Sequence, residues 1–564
     1  MRLWERLPGR RLHAVPLALA LLFFAASLTP SLIPRGVVLQ GVLGGIVAAI
    51  GYLIGRTGLS LWRYLGLPEP EGRRRGIARV VTIVPFALLA LWCLANVAHW
   101  QDSVRAAVAM PPVDATHGVE IVAIAALLFA LLILAGRAVR WVFDAVRTRV
   151  ARRVPRRVAN VVGLLAAVLV VTVATRDGLI DLIFRVADST YATAAAFFDP
   201  EEPPPADPVA SGGPGSLIEW GAIGAPGRDY VLRGPTADEI AAFTGRPALQ
   251  PLRVYVGLEQ DPDPVARAAL AVAELERIGG FGRANLVIAL PTGTGWLDAG
   301  SFAPMEHLLE GDVATVAAQY SYLNSPFALV FETRTGLDQA TALIEAVTDR
   351  WRALPEDARP RLWIHGLSLG AWSSMFGMDL FQMVNDPVDG AFWAGPPFPS
   401  DLWHRVLARR TPDSPYVLPT VEDGRLARFV AQNPRIDPDG WGRMRIAFLQ
   451  YASDAIVFYE PAAAWRRPVW MTEPPAHDVS PHLRWMPVVT MLQLALDMAV
   501  ATSVPDGYGH NYIARDYIPV WAALLEPEGW SAQDVARLQA HCDYGRGEGC
   551  RPPEGMPGSI ADTD

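Results

Sequence analysis

The chain has 564 residues, more than one ordinary domain holds, and its 51% apolar and 19% charged residues exclude a wholly disordered protein. The net charge of −8 is unevenly divided: residues 1–175 carry 20 Arg against seven acids, residues 176–564 carry 29 Arg against 50, and there is no Lys. The acidic bulk argues against nucleic acid as a partner, and three Cys are too few for a disulfide framework or a zinc cluster of the usual type.

Five apolar stretches occupy the first third, near 14–34, 36–55, 79–98, 119–136 and 158–175. Each approaches the ~20 residues a helix needs to cross a hydrocarbon core, so residues 1–176 read as an all-α transmembrane bundle of about five spans. A cleavable signal peptide would explain only the first. Arg2, Arg6, Arg10 and Arg11 precede the first run, Arg56, Arg63 and Arg73 to Arg75 follow the second, and eight Arg between 137 and 157 follow the fourth. Basic loops stay cytoplasmic, which puts the N-terminus inside and, after an odd number of crossings, everything beyond about residue 176 outside. Residues 177–198 read as an amphipathic or connecting helix. Residues 199–216, DPEEPPPADPVASGGPGS, read as a Pro/Gly-rich linker.

The pattern then changes to short apolar strands alternating with amphipathic helices, within a catalytic domain expected over 217–541 and followed by a tail at 542–564. Strands are expected at 252–256, 285–290, 361–365, 389–395 and 444–452, with helices at 266–278 and 336–351. Such alternation argues for a mostly parallel sheet with helices on both faces.

The chemistry sits at the strand ends. RLWIH runs into Gly366-Leu367-Ser368-Leu369-Gly370 and then an apolar helical segment. A G-x-S-x-G at a strand-to-helix junction is a nucleophile elbow, in which the glycines permit a sharp turn that leaves the Ser hydroxyl above the sheet. A Ser nucleophile needs a base, and the base an orienting acid, in the chain order Ser, Asp/Glu, His. Asp454 follows a late strand, although Ser-Asp is also a common turn or helix cap. Of the His residues beyond it, His510 in PDGYGHNY is favoured as base over His477, His482 and His541, because a Gly-rich loop can be mobile enough to present an imidazole. The oxyanion would be held by the Leu369 N–H and by one from Thr292 or Gly293 in PTGTGW. That segment also resembles a phosphate cradle, but such a loop wants Gly-Lys-Ser/Thr and the chain has no Lys.

Through RVYVGL (253–258), ALAVAELERIGGF (269–281), PTGTGW (291–296), GDVATVAAQYSYL (311–323), GLSLG (366–370), WAGPPF (393–398), LQYASDAIV (449–457) and GHNY (509–512), the chain resembles the bacterial membrane-anchored alpha/beta-hydrolases that carry a multispanning N-terminal region. The resemblance implies an α/β-hydrolase domain with Ser368, Asp454 and His510 as triad, and it supplies no substrate. The segment LNSPF at 323–327 departs from the Leu-Pro-Ser form of that family.

Cys542 and Cys550 are placed to form a disulfide outside the cytoplasm. Residues 395–442, rich in Pro and Asp, read as a lid or cap insertion, and 485–504 as a buried or surface-lying helix. The expected function is a serine hydrolase of the cell membrane, beside the lipid bilayer, cleaving an ester or thioester of an apolar acyl substrate without a cofactor or metal. An acyltransferase using the same acyl-enzyme and a non-catalytic membrane scaffold are the rivals.

Overall fold

The five apolar runs form five helices: α1 (Ala14–Ser27), α2 (Val37–Tyr64), α3 (Gly72–Ala107), α4 (Gly118–Val150) and α5 (Arg156–Val173). The computed structural model describes residues 13–113, 115, 117–173, 202–321, 333–378 and 386–552, so the helix expected at 177–198 and the LNSPF segment lie outside the described residues. Among those described, α2, α3 and α4 are long and apolar enough to cross a membrane. Their outward faces carry Leu53, Leu91, Trp92, Leu127 and Leu131 in the open, a pattern that suits lipid and not water. The first expected span, 14–34, is corrected: its helix stops at Ser27, about 21 Å of rise, too short to cross. Thr29, Ser31 and Pro30 break the run, and Leu28, Leu32 and Ile33 bury themselves in a non-helical segment. Packing within the bundle relies on close backbone approach. A Cβ on Gly51 of α2 would stand 2.6 Å from the Leu19 carbonyl oxygen of α1, and one on Gly45 would stand 2.9 Å from that of Ala125 in α4.

The chain divides into two units, Met1–Asp188 with Glu460–Val500, and Ser189–Tyr459 with Ala501–Asp564. The single catalytic domain expected over 217–541 is therefore interrupted. The helix Val489–Ala499 belongs with the bundle, where its buried Gln493 and Asp497 make their hydrogen bonds. Gln493 Nε2 donates to the Thr29 carbonyl at 3.0 Å, while Asp497 accepts from Ser31 Oγ and from the Leu32 N–H, both at 2.9 Å. At 11 residues it is too short to cross a bilayer.

In the second unit eight strands form one sheet: β1 (Leu252–Val256), β2 (Asn285–Leu290), β3 (Val313–Ala318), β4 (Arg361–Leu367), β5 (Gly390–Ala394), β6 (Thr420–Val421), β7 (Ala427–Val430) and β8 (Arg445–Leu449). Their order is β1-β3-β2-β4-β5-β8-β7-β6, and every pair is parallel except β6–β7. Strands β1, β2, β3 and β5 are buried along their whole length, as a parallel sheet covered on both faces requires. Each buried Val, Ile or Leu adds about 1.5–3 kcal/mol. The helices Pro264–Arg277 and Thr333–Arg352 realise the two expected ones with slightly longer spans.

Two expectations are narrowed here. The segment 395–442 supplies β6 and β7 to the sheet, so that part of it is scaffold and not an added lid. The linker reading of 199–216 fails over its described part, which is docked. Ser211 is buried, with its Oγ donating to the Arg253 carbonyl and accepting from the Tyr255 N–H, and Ser216 Oγ donates to Glu274 at 2.6 Å. Since β1 is an edge strand, these contacts cover an edge that would otherwise be open. A Pro/Gly-rich composition does not reveal them.

Candidate active site

Strand β2 leads to β3 on one side of the sheet, and β4 leads to β5 on the other. The β2–β4 boundary is thus the point where strand order reverses, and ligands of open parallel sheets bind beyond the carboxyl ends of strands at such a point. The register aligns those ends: Leu290 of β2 pairs with Gly366, Leu367 of β4 with Ala394, and Ala394 of β5 with Leu449 of β8. PTGTGW, Ser368, Gly395 and Asp454 all follow from this one end.

Ser368 sits between β4 and the helix Leu369–Gly377 with φ 57° and ψ −124°, a conformation non-glycine residues rarely adopt. Its N–H donates to the Ala394 carbonyl at 2.9 Å, and its side chain is nearly buried. The flanking glycines are sterically required. A Cβ on Gly370 would lie 2.0 Å from the Leu290 carbonyl oxygen, and one on Gly366 would lie 2.4 Å from the Gly370 carbonyl carbon. The same contact brings the PTGTGW loop against the elbow.

Asp454 ends the turn after β8 and is fully buried. Its Oδ1 accepts from the Ile456 N–H at 2.9 Å, and its Oδ2 stands 2.6 Å from His510 Nδ1. The Nδ1–H tautomer, donating to the carboxylate, leaves the Nε2 lone pair free to take a proton. His510 Nε2 is buried and has no hydrogen-bond partner, Ser368 Oγ included. The His510 ring lies over Gly395, where a Cβ would meet its Cε1 at 2.7 Å. Gly395 follows Ala394, the acceptor of the Ser368 N–H, so nucleophile and imidazole share the ends of neighbouring strands.

The His510 loop is not the mobile presenter expected. His510 N–H donates to the Ala501 carbonyl, the Gly509 N–H to Ser453 Oγ, and the Gly507 N–H to the Asn511 carbonyl, all at 2.8–2.9 Å. The other histidines are elsewhere: His482 packs 5.2 Å from His99 in the helical unit, to which His477 also belongs, and His541 stacks on Phe243 at 4.6 Å.

Of the oxyanion donors, the Leu369 N–H begins a helix and so has no intrahelical acceptor. The Thr292 N–H is already given to the Trp296 carbonyl at 3.0 Å, which closes the loop on itself and removes it from the two donors expected there. Tyr255 OH and Gln319 Nε2 hold that loop through the carbonyls of Gly295 and Thr294.

Two participants escape sequence reasoning. Tyr512 OH donates to the same Asp454 Oδ2 at 2.8 Å, and burial next to that carboxylate holds the phenol pKa well above its ordinary value, so it remains a donor. GHNY contains the residue but no spacing rule assigns it. His365, three residues before Ser368, is wholly buried. Trp521 Nε1 donates to Ser301 Oγ, so the Ser301 hydroxyl can donate to His365 Nε2 at 3.0 Å while His365 Nδ1–H donates to the Phe392 carbonyl at 2.8 Å. Burial lowers this imidazole to about 4, and the hydrogen bond to Phe392 offsets only part of that. Cys542 and Cys550 form a disulfide.

No curated protein and no solved structure matches the chain. Residues 28–235 match the N-terminal region model of the alpha/beta-hydrolase family, and residues 252–538, half of the chain, match the model of the alpha/beta-hydrolase family proper. With a parallel sheet, an elbow at Ser368 and both matches in sequence order, the chain belongs to the alpha/beta-hydrolase family.

Proposed function

We propose that the protein is a membrane-anchored serine hydrolase that cleaves an ester or thioester of an apolar, lipid-like acyl compound. Ser368 Oγ attacks the acyl carbonyl as His510 Nε2 takes its proton. Asp454 holds the imidazole through Nδ1 and stabilises its protonated form. The oxyanion is received by the N–H groups of Leu369 and Gly293. His510 returns the proton to the departing alcohol or thiol, and a water activated by the same imidazole then releases the acid and frees Ser368.

The observation that carries the reading is the strained Ser368 at the end of β4 beside a buried Asp454–His510 pair whose Nε2 is left without a partner. An inactive scaffold has no need to retain both. The apolar acyl class rests on the membrane-length helices of the same chain. For orientation, the Arg-rich segment between α4 and α5 is taken as cytoplasmic. A crossing by α5, which is not among the three membrane-length helices, would then put the catalytic unit outside, whether or not α1 spans. A disulfide suits that compartment.

Labelling with a serine-reactive fluorophosphonate tests the mechanism. Wild type should label, Ser368→Ala should not, and His510→Ala should label slower by orders of magnitude. Equal labelling of wild type and Ser368→Ala would refute it. Protease added from outside should reach the catalytic unit, and full protection would reverse the orientation.

A further inference from the structure

Residues 542–550, CDYGRGEGC, follow the helix Ala532–His541 and are closed into a ring by the disulfide between the buried Cys542 and Cys550. Both ends of the ring are anchored to the scaffold. Before it, Gln539 Nε2 donates to the Arg515 carbonyl at 2.7 Å and His541 stacks on Phe243; after it, Arg551 Nε donates to Glu239 Oε1 at 2.7 Å. Closure removes the freedom that a segment so rich in Gly would otherwise keep.

The ring touches both loops to which the chemistry is assigned, and Arg546 is the junction. Its guanidinium lies over the Trp296 ring, 5.7 Å from the centroid, while its backbone N–H donates to Asp506 Oδ2 at 3.1 Å. Trp296 closes the PTGTGW turn through its carbonyl, which accepts the Thr292 N–H. Asp506 stands at the start of the PDGYGHNY segment that carries His510. The approach is close on both sides. A Cβ on Gly547 would stand 3.2 Å from Trp296 Cζ2, and one on Gly545 would stand 2.7 Å from Asp506 Oδ2. Gly549 meets the helix that follows PTGTGW, Ala299–Leu308, where a Cβ would lie 2.9 Å from that of Ala303.

Acylation needs the imidazole and the oxyanion donors aimed at one carbonyl at the same moment, and small misplacements of either are costly. Hydrogen bonds inside each loop fix that loop's own shape. A covalently closed brace touching both fixes their separation as well.

We infer that the ring Cys542–Cys550 is a clamp for the acylation reaction, with Arg546 and Asp506 as positioning residues that couple the PTGTGW loop to the His510 loop. The inference rests on the assignment of Ser368, Asp454 and His510 as triad.

The test measures fluorophosphonate labelling rates and p-nitrophenyl butyrate hydrolysis on the full chain in detergent. Cys542→Ser combined with Cys550→Ser opens the ring and should slow labelling by about tenfold or more. Arg546→Ala, at an exposed position, should slow it by about threefold or more, and Arg546→Lys, which keeps a cation over Trp296, should recover most of the rate. Asp506→Ala should act like Arg546→Ala, whereas Asp506→Asn, whose side-chain oxygen still accepts the Arg546 N–H, should stay near wild type. In ester hydrolysis the loss should fall on kcat with KM unchanged, because the clamp aims groups that act on the transition state. Ser531→Ala removes the cap of the same C-terminal helix and leaves the ring contacts in place. It should lower the unfolding temperature and still label at the wild-type rate. Wild-type rates in both the ring-opened variant and Arg546→Ala, or a loss in Ser531→Ala equal to that in Arg546→Ala, would overturn the clamp and leave the triad standing. Failure of wild type itself to label would overturn the triad and the clamp with it.

Discussion

Ser368 holds φ 57° and ψ −124° at the junction of β4 and its helix. A non-glycine residue kept in such a region stores about 1–3 kcal/mol. Ser368→Ala keeps the Cβ and therefore the strain, whereas Ser368→Gly releases it. In an unstrained position the glycine variant would be the less stable of the two, by about 0.5–1 kcal/mol, because its unfolded chain has more freedom to lose. With the strain present the order inverts, and Ser368→Gly should exceed Ser368→Ala by about 1 kcal/mol. For a domain of this size that is a rise of about 2–4 °C in unfolding temperature. Both variants lack the proposed nucleophile, so neither should label with fluorophosphonate. Thermal unfolding in detergent can be followed by tryptophan emission, to which the wholly buried Trp363 and Trp393 of β4 and β5 contribute. A glycine variant less stable than the alanine variant would refute the strained elbow, whatever the activity.

Tyr512→Phe removes one of the two side-chain donors on Asp454 Oδ2; a hydrogen bond to a charged acceptor is worth about 1.5–3 kcal/mol, so labelling should slow by about one to two orders of magnitude and its pH profile should move, and a wild-type profile would reduce Tyr512 to packing. Gly395→Val puts atoms where the His510 ring lies and strains a backbone at φ 51°, so it should nearly abolish labelling while Ser368 stays in place; unimpaired labelling would contradict the placement of the imidazole. His365 is neutral and buried in the folded chain at about 4 but takes a proton near 6.5 when unfolded, so stability should fall as pH drops from about 6.5 towards 4, by up to about 3 kcal/mol at the low end. Urea midpoints across that range should show the decline, and His365→Gln, which cannot titrate, should lose this part of the pH dependence; an unchanged slope in the variant would show that other groups carry it.

The features legible in the sequence are those written in short patterns. Alternation of LRVYV, NLVIAL and RLWIH with amphipathic helices specifies a parallel sheet because strands buried on both faces must be continuously apolar. GLSLG is readable because only glycine survives where Gly366 and Gly370 stand. Asp454 and His510 are 56 residues apart and rest on an ordering rule, and the structure puts Nδ1 and Oδ2 at 2.6 Å. What is illegible depends on contacts between residues distant in sequence or on weak local signals. The strand β3 hides in VATVAA, whose small residues carry a weak apolar signal, and β7 hides inside a Pro- and Asp-rich stretch. Thr292 and Gly293 are indistinguishable as donors until Trp296 closes the turn. The excursion of 460–500 into the helical unit rests on Gln493 and Asp497, whose partners are more than 460 residues away in sequence.

Contacts between distant segments also account for how a strained serine persists. Strain of a few kcal/mol relaxes unless the surroundings over-determine the geometry. Here the Ser368 N–H is tied to β5, and Gly370 is wedged on the last carbonyls of β2. The acid and the base are each tied to their own loops through Ile456, Ser453 and Ala501. Four parallel strands in register thus supply the rigidity, and loops closed on themselves supply the positions. A substitution at Gly370 should then be worse for labelling than its distance from the chemistry suggests. With Gly370→Ala a methyl would stand 2.0 Å from the Leu290 oxygen, so either β2 or the elbow must move. If the elbow moves, the proposed oxyanion donors, Leu369 N–H and Gly293 N–H, are displaced from one another and acylation falls by about two orders of magnitude, since removing a single oxyanion donor already costs about that much. If labelling instead survives at the wild-type rate in a folded Gly370→Ala protein, the packing of helix on β2 is not what aims the serine, and the account of the site given by its glycines is wrong.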